Sequence, residues 1–151
     1  MNTNFITMKK RQLVLFLLCS IMMGTIGAQE LRKYQWKNRI VLIISKDSLS
    51  KIYKAQIKEF ESDRNGFENR KLLVYHVLPN THKMIKKHNT RWQTNSGLYD
   101  TYNPHNENFK CILIGLDGGV KIEQNELLTK KELFSSIDGM PMRRSELKNK
   151  N

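Results

Sequence analysis

The sequence predicts a single α/β domain, a sandwich in which a βαβ unit is followed by a ββα unit. Three observations predict it. Two apolar runs, at residues 40–44 and 72–78, flank a stretch with helical periodicity. An Asp-Gly-Gly turn at residues 117–119 then joins two further strands ahead of a last helix. A right-handed crossover followed by an antiparallel hairpin brings these strands into one sheet.

The first 28 residues have the layout of a secretory signal peptide. Basic residues at 9–11 precede an apolar run at 13–23, and small residues then lead to the polar pair Gln29-Glu30. The run is shorter than the roughly 20 residues that span a bilayer. We therefore expect an exported protein, periplasmic or extracellular, with no transmembrane anchor in the mature chain.

The expected mature chain is basic and has one cysteine. The full chain carries a formal charge of +12, and removal of the three basic residues at 9–11 leaves +9. Cys19 leaves with the signal peptide, so Cys111 remains and has no partner for an internal disulfide. The domain expected at residues 29–147 must therefore be held by its core, and residues 148–151 form a polar tail.

The first strand is predicted after a polar lead-in at residues 29–38 that packs Tyr34 and Trp36 on the domain edge. Residues 40–44 are all aliphatic, and such an unbroken run is typical of a central strand covered on both faces. The second strand, at residues 72–78, is interrupted only by His76, which we expect to be an interior or edge residue.

The helix between these strands is predicted from apolar residues at three- and four-residue spacing. Ser48 is the expected N-cap, because its hydroxyl can accept a free backbone N–H of the first turn. Gly66 is the expected stop. The inward face consists of Leu49, Ile52, Tyr53, Ile57 and Phe60.

The middle of the chain is less regular. Residues 80–90 are expected to hold a short helix around Met84 and Ile85. Residues 91–108 are polar, with Gly97 and Pro104, and are expected to form an irregular connection.

The C-terminal part has the clearest local signals. Residues 109–116 and 120–123 are predicted strands, joined by glycines that supply positive φ angles. Thr129 and Glu132 have the spacing of a capping box at the start of the last helix. Gly139 and Pro141 are expected to end that helix. The order of elements is that of the thioredoxin-like core.

Two segments, LIGLDGGVK and ELFSSIDGMPMRRSEL, resemble a peroxiredoxin-like family of thioredoxin-fold domains of unknown function. The family's DGGVK…DxMPMRR pattern occurs in exported bacterial proteins and in vertebrate secreted and matrix proteins with sushi repeats. The likeness spans Tyr34 to Leu147, although Leu116 stands where family members often have lysine. It implies a thioredoxin-like fold and export, and it implies no established activity or cofactor.

Redox chemistry has one candidate residue. A thioredoxin-like fold carries its reactive thiol in the loop after the first strand, where a helix N-terminus lowers the thiol pKa. Residues 45–50 of that loop contain no cysteine, so the CxxC motif is missing. Cys111 lies in an apolar strand, where it is either a core residue or the lone thiol of a peroxiredoxin-like oxidoreductase.

The histidines and the densest basic segment give no site of their own. No two of the four histidines have the spacing of a local zinc site, and no metal is predicted. Basic and aromatic residues gather at positions 82–92, which favours either a solvated surface or a polyanion site. Because nucleic acid is not the usual partner of an exported protein, no nucleic-acid binding is predicted.

Arg143 and Arg144 lie in the specific MPMRR segment. They serve either the negative end of the last helix or a bound carboxylate or phosphate. The leading hypothesis is an exported, non-catalytic domain that binds an anionic glycan, a lipid headgroup or an envelope protein, or that has a structural role in the envelope or matrix. The alternative is a single-cysteine oxidoreductase using Cys111.

Overall fold

A six-stranded mixed sheet lies at the centre of the computed structural model, which describes residues 26–85, 91–94 and 97–149. The order across the sheet is β4-β3-β2-β1-β5-β6, and only β1 and β2 are parallel. The predicted thioredoxin-like βαβ plus ββα arrangement is confirmed. The strands are β1 (Arg39–Ser45), β2 (Leu72–Leu78), β3 (Thr81–Met84), β4 (Gln93–Thr94), β5 (Phe109–Ile114) and β6 (Val120–Gln124).

Helices cover both faces of the sheet, so β1 is buried along its whole length as its unbroken apolar run predicts. Helices α2, α3 and α5 share one apolar core with the sheet, and α1 and α4 share the other. The helices of the described residues are α1 (Ile26–Arg32), α2 (Lys51–Glu61), α3 (Arg64–Asn69), α4 (Leu98–Tyr102), α5 (Lys130–Asp138) and α6 (Pro141–Lys148).

The C-terminal hairpin and helix start confirm their local signals. Gly118 has φ of 81°, the left-handed conformation that the β5–β6 turn needs. The Thr129 hydroxyl accepts the Glu132 N–H at 3.2 Å, and the Glu132 carboxylate accepts the Thr129 N–H at 2.9 Å. The capping box is therefore complete.

The start and end predicted for α2 are wrong. Asp47 accepts the Leu49 N–H at 2.7 Å, and this turn moves the cap from Ser48 to Ser50. Leu49 precedes the helix and is 70% exposed instead of lying on its inward face. Gly66 does not end α2, because α2 stops at Glu61 and Gly66 lies inside α3.

The middle of the chain also differs from its prediction. The segment around Met84 is strand β3 and not a helix, since Pro79-Asn80 turns the chain back antiparallel to β2. The supposedly irregular connection contains β4 and α4 within the described residues. Trp36, expected to pack on the domain edge, is 63% exposed, whereas Tyr34 does join a core.

The sequence prediction also missed the last helix, α6. Pro141 opens α6, because proline is favoured at the first helical position where no N–H is needed. Helix α5 ends at Asp138 as expected, and α6 runs to Lys148. The MPMRR segment is therefore a helix start, which determines where its arginines lie. Residues 1–25, most of the expected signal peptide, lie outside the described residues.

Candidate functional site

The loop between β1 and α2 is the position at which this fold places a reactive thiol. The buried Ser45 hydroxyl donates to the Asp47 carbonyl at 2.8 Å, and the Lys46 N–H donates to the Asn108 carbonyl at 3.1 Å. The Ser50 hydroxyl accepts the Tyr53 N–H at 3.3 Å. These hydroxyls hold the loop and cap the helix, which is structural work.

Positive charge gathers at the same place, which we call the basic end of α2 (Lys46, Leu49, Lys51 and Lys54). All four side chains are exposed, and the first turn of α2 contains no acidic residue. The loop also holds one exposed carboxylate, that of Asp47. None of these lysines forms an ion pair with a carboxylate of the described residues. The helix dipole adds positive potential at this end. The surface is therefore suited to an anion with an apolar part.

Cys111 is a core residue, as one of its two readings predicts. Its side chain has no exposure and lies in β5 between Ile43 of β1 and Gln124 of β6. Burial raises the pKa of the Cys111 thiol to about 12. Little nucleophilic thiolate is then present at neutral pH. The peroxidatic role of Cys111 stays a prediction, and no feature of this geometry favours it.

We expect Cys111 to be labelled by a thiol reagent at least about a hundredfold more slowly in native buffer than in denaturant, because labelling must await opening of the core. Purified Cys19→Ser protein leaves Cys111 as the thiol observed. Leu49→Cys/Cys111→Ser in the same background supplies an exposed thiol for comparison. Rapid native labelling of Cys111, with sulfenic acid formed at low peroxide, would contradict the core reading and favour the oxidoreductase.

Arg143, one of the two predicted ligand-binding arginines, is buried and engaged within the chain. Its Nη1 donates to the Asn69 carbonyl at 2.9 Å, and the same nitrogen lies 3.3 Å from a carboxylate oxygen of Glu146. Its Nε lies 3.3 Å from Asp138. The guanidinium thus joins α3, α5 and α6. Arg144 is exposed on α6, and its role in binding stays a prediction.

Two further arginines complete an arginine cluster (Arg39, Arg70 and Arg143, with Asp138 and Glu146). Arg39 is fully buried at the start of β1 and donates to the Arg70 carbonyl at 3.0 Å and to Glu146 at 3.3 Å. The Arg70 guanidinium donates two hydrogen bonds to the Asp138 carboxylate, from Nε at 3.1 Å and from Nη2 at 2.5 Å. The cluster lies at the start of β1 and β2, the opposite end of the sheet from residues 45–50.

The carboxylates of the cluster are held in their charged form. Burial by itself raises the pKa of Asp138, but Arg70 and Arg143 outweigh it and hold the pKa below its usual value. Burial likewise raises the pKa of Glu146. Arg39, Arg143 and Lys71 lower it by more, so the pKa lies below its usual value. Sequence reasoning found the arginines of MPMRR but missed Arg39, which is hidden in the apolar pattern of β1.

Two of the described histidines, His76 and His82, are buried and lie in separate contacts, and His105 is exposed. His76 is buried as expected, with Nδ1 3.0 Å from the Tyr53 hydroxyl, and burial lowers its pKa to about 4, with a smaller contribution from Lys83. His82 stacks on Tyr75, with ring centroids 6.1 Å apart. Within the described part of the chain, no three potential ligands are grouped for a metal ion.

The predicted basic segment at residues 82–92 is only partly described. Lys83 Nζ lies 4.7 Å from the centroid of the Trp92 ring, a cation–π contact. Lys86, Lys87 and His88 lie outside the described residues. A polyanion site in this segment stays a prediction.

Comparison with known proteins gives one match. A family model described as a domain of unknown function (DUF4174) matches residues 30–146. Neither the curated proteins nor the solved structures include a match. Of the helices in the described ranges, none has the length and apolar character needed to cross a bilayer.

Proposed function

This chain belongs to DUF4174, a family of domains of unknown function, and we propose that it is an exported, non-catalytic thioredoxin-like domain that binds an anionic partner. The observation that carries the proposal is the basic end of α2. Export is supported by the signal-peptide pattern of residues 1–28. An anionic partner is supported by the charge of +9 that the expected mature chain keeps of the full chain's +12. A non-catalytic role is supported by the loop at residues 45–50, where this fold usually carries a reactive thiol. That loop has serines instead, and Ser45 and Ser50 form hydrogen bonds to the backbone.

The lysines of the basic end of α2 stand where they weaken the helix. A cation in the first turn opposes the helix dipole, and charges at helix ends are worth about 0.3–1 kcal/mol each at low salt. Lys51 and Lys54 both occupy that turn, which contains no acidic residue, and Asp47 in the preceding loop is the one carboxylate of residues 45–54. A bound anion relieves this repulsion and also accepts free first-turn N–H groups. The placement of these lysines therefore supports an anionic ligand at this end.

Leu49 indicates what accompanies the negative charge. It is 70% exposed and lies in sequence between Lys46 and Lys51, with the exposed Asp47 also in the loop. An apolar side chain between cations matches a membrane surface, where it enters the headgroup region while the lysines meet phosphates. An acidic glycan offers the charge without the apolar layer. Binding at this end thus favours an anionic lipid surface over a glycan.

We expect Lys51→Ala/Lys54→Ala to weaken binding to phosphatidylglycerol–phosphatidylcholine vesicles about thirtyfold, because each lysine near an anionic surface contributes about 1 kcal/mol. Vesicle co-sedimentation at low salt measures this. The unfolding midpoint should stay the same or rise slightly, since two unfavourable helix-end charges are removed. A loss of binding without a loss of stability distinguishes a binding role from a structural one.

Lys131→Ala/Lys148→Ala is the matched control, because both lysines are exposed and the charge change is the same. It should bind vesicles nearly as the unaltered protein does. Equal effects of the two double variants would reduce the interaction to net charge and overturn the site. Leu49→Ser separates the partners, since it should weaken vesicle binding but leave binding to a sulfated glycan such as heparin unchanged.

A further inference from the structure

A cavity of about 480 Å³ opens between α2, α3 and the β2 side of the sheet. Small-molecule sites usually enclose about 300–1,000 Å³ and are mostly apolar with a few polar groups. This cavity fits that description, and it lies toward the end of α2 opposite the basic end. Its apolar walls include Ile57, Phe60, Phe67, Leu72, Val74 and Ile85.

His76 supplies a polar group inside these walls. The side chain lines the cavity and is otherwise buried. Its Nδ1 is engaged with the Tyr53 hydroxyl at 3.0 Å, so Nε2 is its free polar atom and has no hydrogen-bond partner among the described residues. Because burial holds the ring neutral at physiological pH, Nε2 can make one hydrogen bond to an uncharged group.

The charged side chains among the described residues that line the cavity disfavour an anion. Glu61, Arg64 and Glu68 line the opening, and Arg64 lies 3.7 Å from Glu68 in an exposed ion pair. The set has one more carboxylate than guanidinium. This excess of negative charge would repel a ligand carboxylate, whereas it would not repel a neutral ligand.

We propose that this cavity binds a small neutral molecule with an apolar body and one hydroxyl or carbonyl group, which hydrogen-bonds to His76 Nε2. The site is separate from the basic end of α2 and does not depend on the anionic partner proposed there. The two ends of α2 then face different ligands, an anionic surface at its start and an uncharged small molecule near its end.

The test is a titration of the purified protein with the neutral fluorophore N-phenyl-1-naphthylamine, followed by displacement with 1-octanol or octanoate. We expect saturable fluorescence and displacement by 1-octanol at a concentration at least about tenfold lower than octanoate requires. Val74→Phe, which fills the cavity, should weaken probe binding at least tenfold. Val120→Phe places the same change on an exposed position of β6 and should leave binding unchanged.

A measurement on the unaltered protein keeps the test independent of how well Val74→Phe folds. On addition of 1-octanol, the ¹⁵N resonance of His76 Nε2 should shift and the resonance of His105, which is exposed, should not. Absence of saturable binding, equal displacement by octanoate, full affinity in folded Val74→Phe, or an unmoved His76 resonance would each overturn the proposal.

Discussion

Glu146→Ala is expected to lower the free energy of unfolding by about 3–5 kcal/mol, the usual cost of removing one partner from a buried ion pair. Glu146 lies 3.3 Å from both Arg39 and Arg143, whose side chains are only 1% and 2% exposed. Without the carboxylate, two buried guanidinium groups lose their shared counter-ion. Urea unfolding followed by circular dichroism measures the loss.

The control is Glu126→Ala, an exposed carboxylate with no ion pair among the described residues, which should change stability by less than about 0.5 kcal/mol.

The stability lost in Glu146→Ala also depends on pH. Because the Glu146 pKa is lower in the folded protein than its ordinary 4.5, the unfolded chain takes up the proton first as pH falls. The advantage of the unaltered protein is therefore complete above pH 4.5 and shrinks below it. Equal stability of the two variants at pH 7 would remove the counter-ion role.

Gln56→Met is expected to destabilise the protein by about 2–6 kcal/mol, because it leaves two buried backbone groups without partners at about 1–3 kcal/mol each. The fully buried Gln56 amide donates to the Leu128 carbonyl at 2.8 Å and accepts the Leu128 N–H at 2.8 Å. Methionine has a similar length and neither polar group. Chemical unfolding compared with the unaltered protein measures the effect.

Gln35→Met is the matched control. Gln35 makes one exposed hydrogen bond, to the Asp117 carbonyl at 2.8 Å, so its loss should cost about 1 kcal/mol or less. If Gln56→Met cost no more than Gln35→Met, the amide of Gln56 would not be what attaches α2 to the start of α5.

Local patterns predicted the fold where the local signal and the packing agree. The runs that became β1 and β2 are apolar because both sheet faces are covered, and the capping box forms between residues three apart. The Asp47 side chain decided the start of α2, because a turn bonded to its carboxylate competes with a cap at Ser48. Strand β3 was missed since its pairing depends on β2 more than on its own residues.

The candidate sites were harder to predict from the sequence, because they depend on contacts between residues far apart in the chain. The loop at residues 45–50 follows from topology alone, so its position could be predicted. Gln56 reads as a surface residue in a helix pattern, and only Leu128, 72 residues later, makes it a core partner. The cavity beside His76 is a space between α2, α3 and β2, and a gap between elements leaves no pattern in the sequence.

We expect the arginine cluster to form late in folding. Arg39 begins the first strand and Glu146 lies in the last helix, 107 residues further along the chain. Contacts between such distant positions close late, since the entropy of the intervening loop opposes them until other elements have formed. A nascent chain that has not yet produced α6 therefore carries Arg39, at the start of its central strand, without the Glu146 carboxylate. We therefore expect a chain cut short before Glu146 to fold incompletely, because Arg39 then lacks the carboxylate that pairs with it.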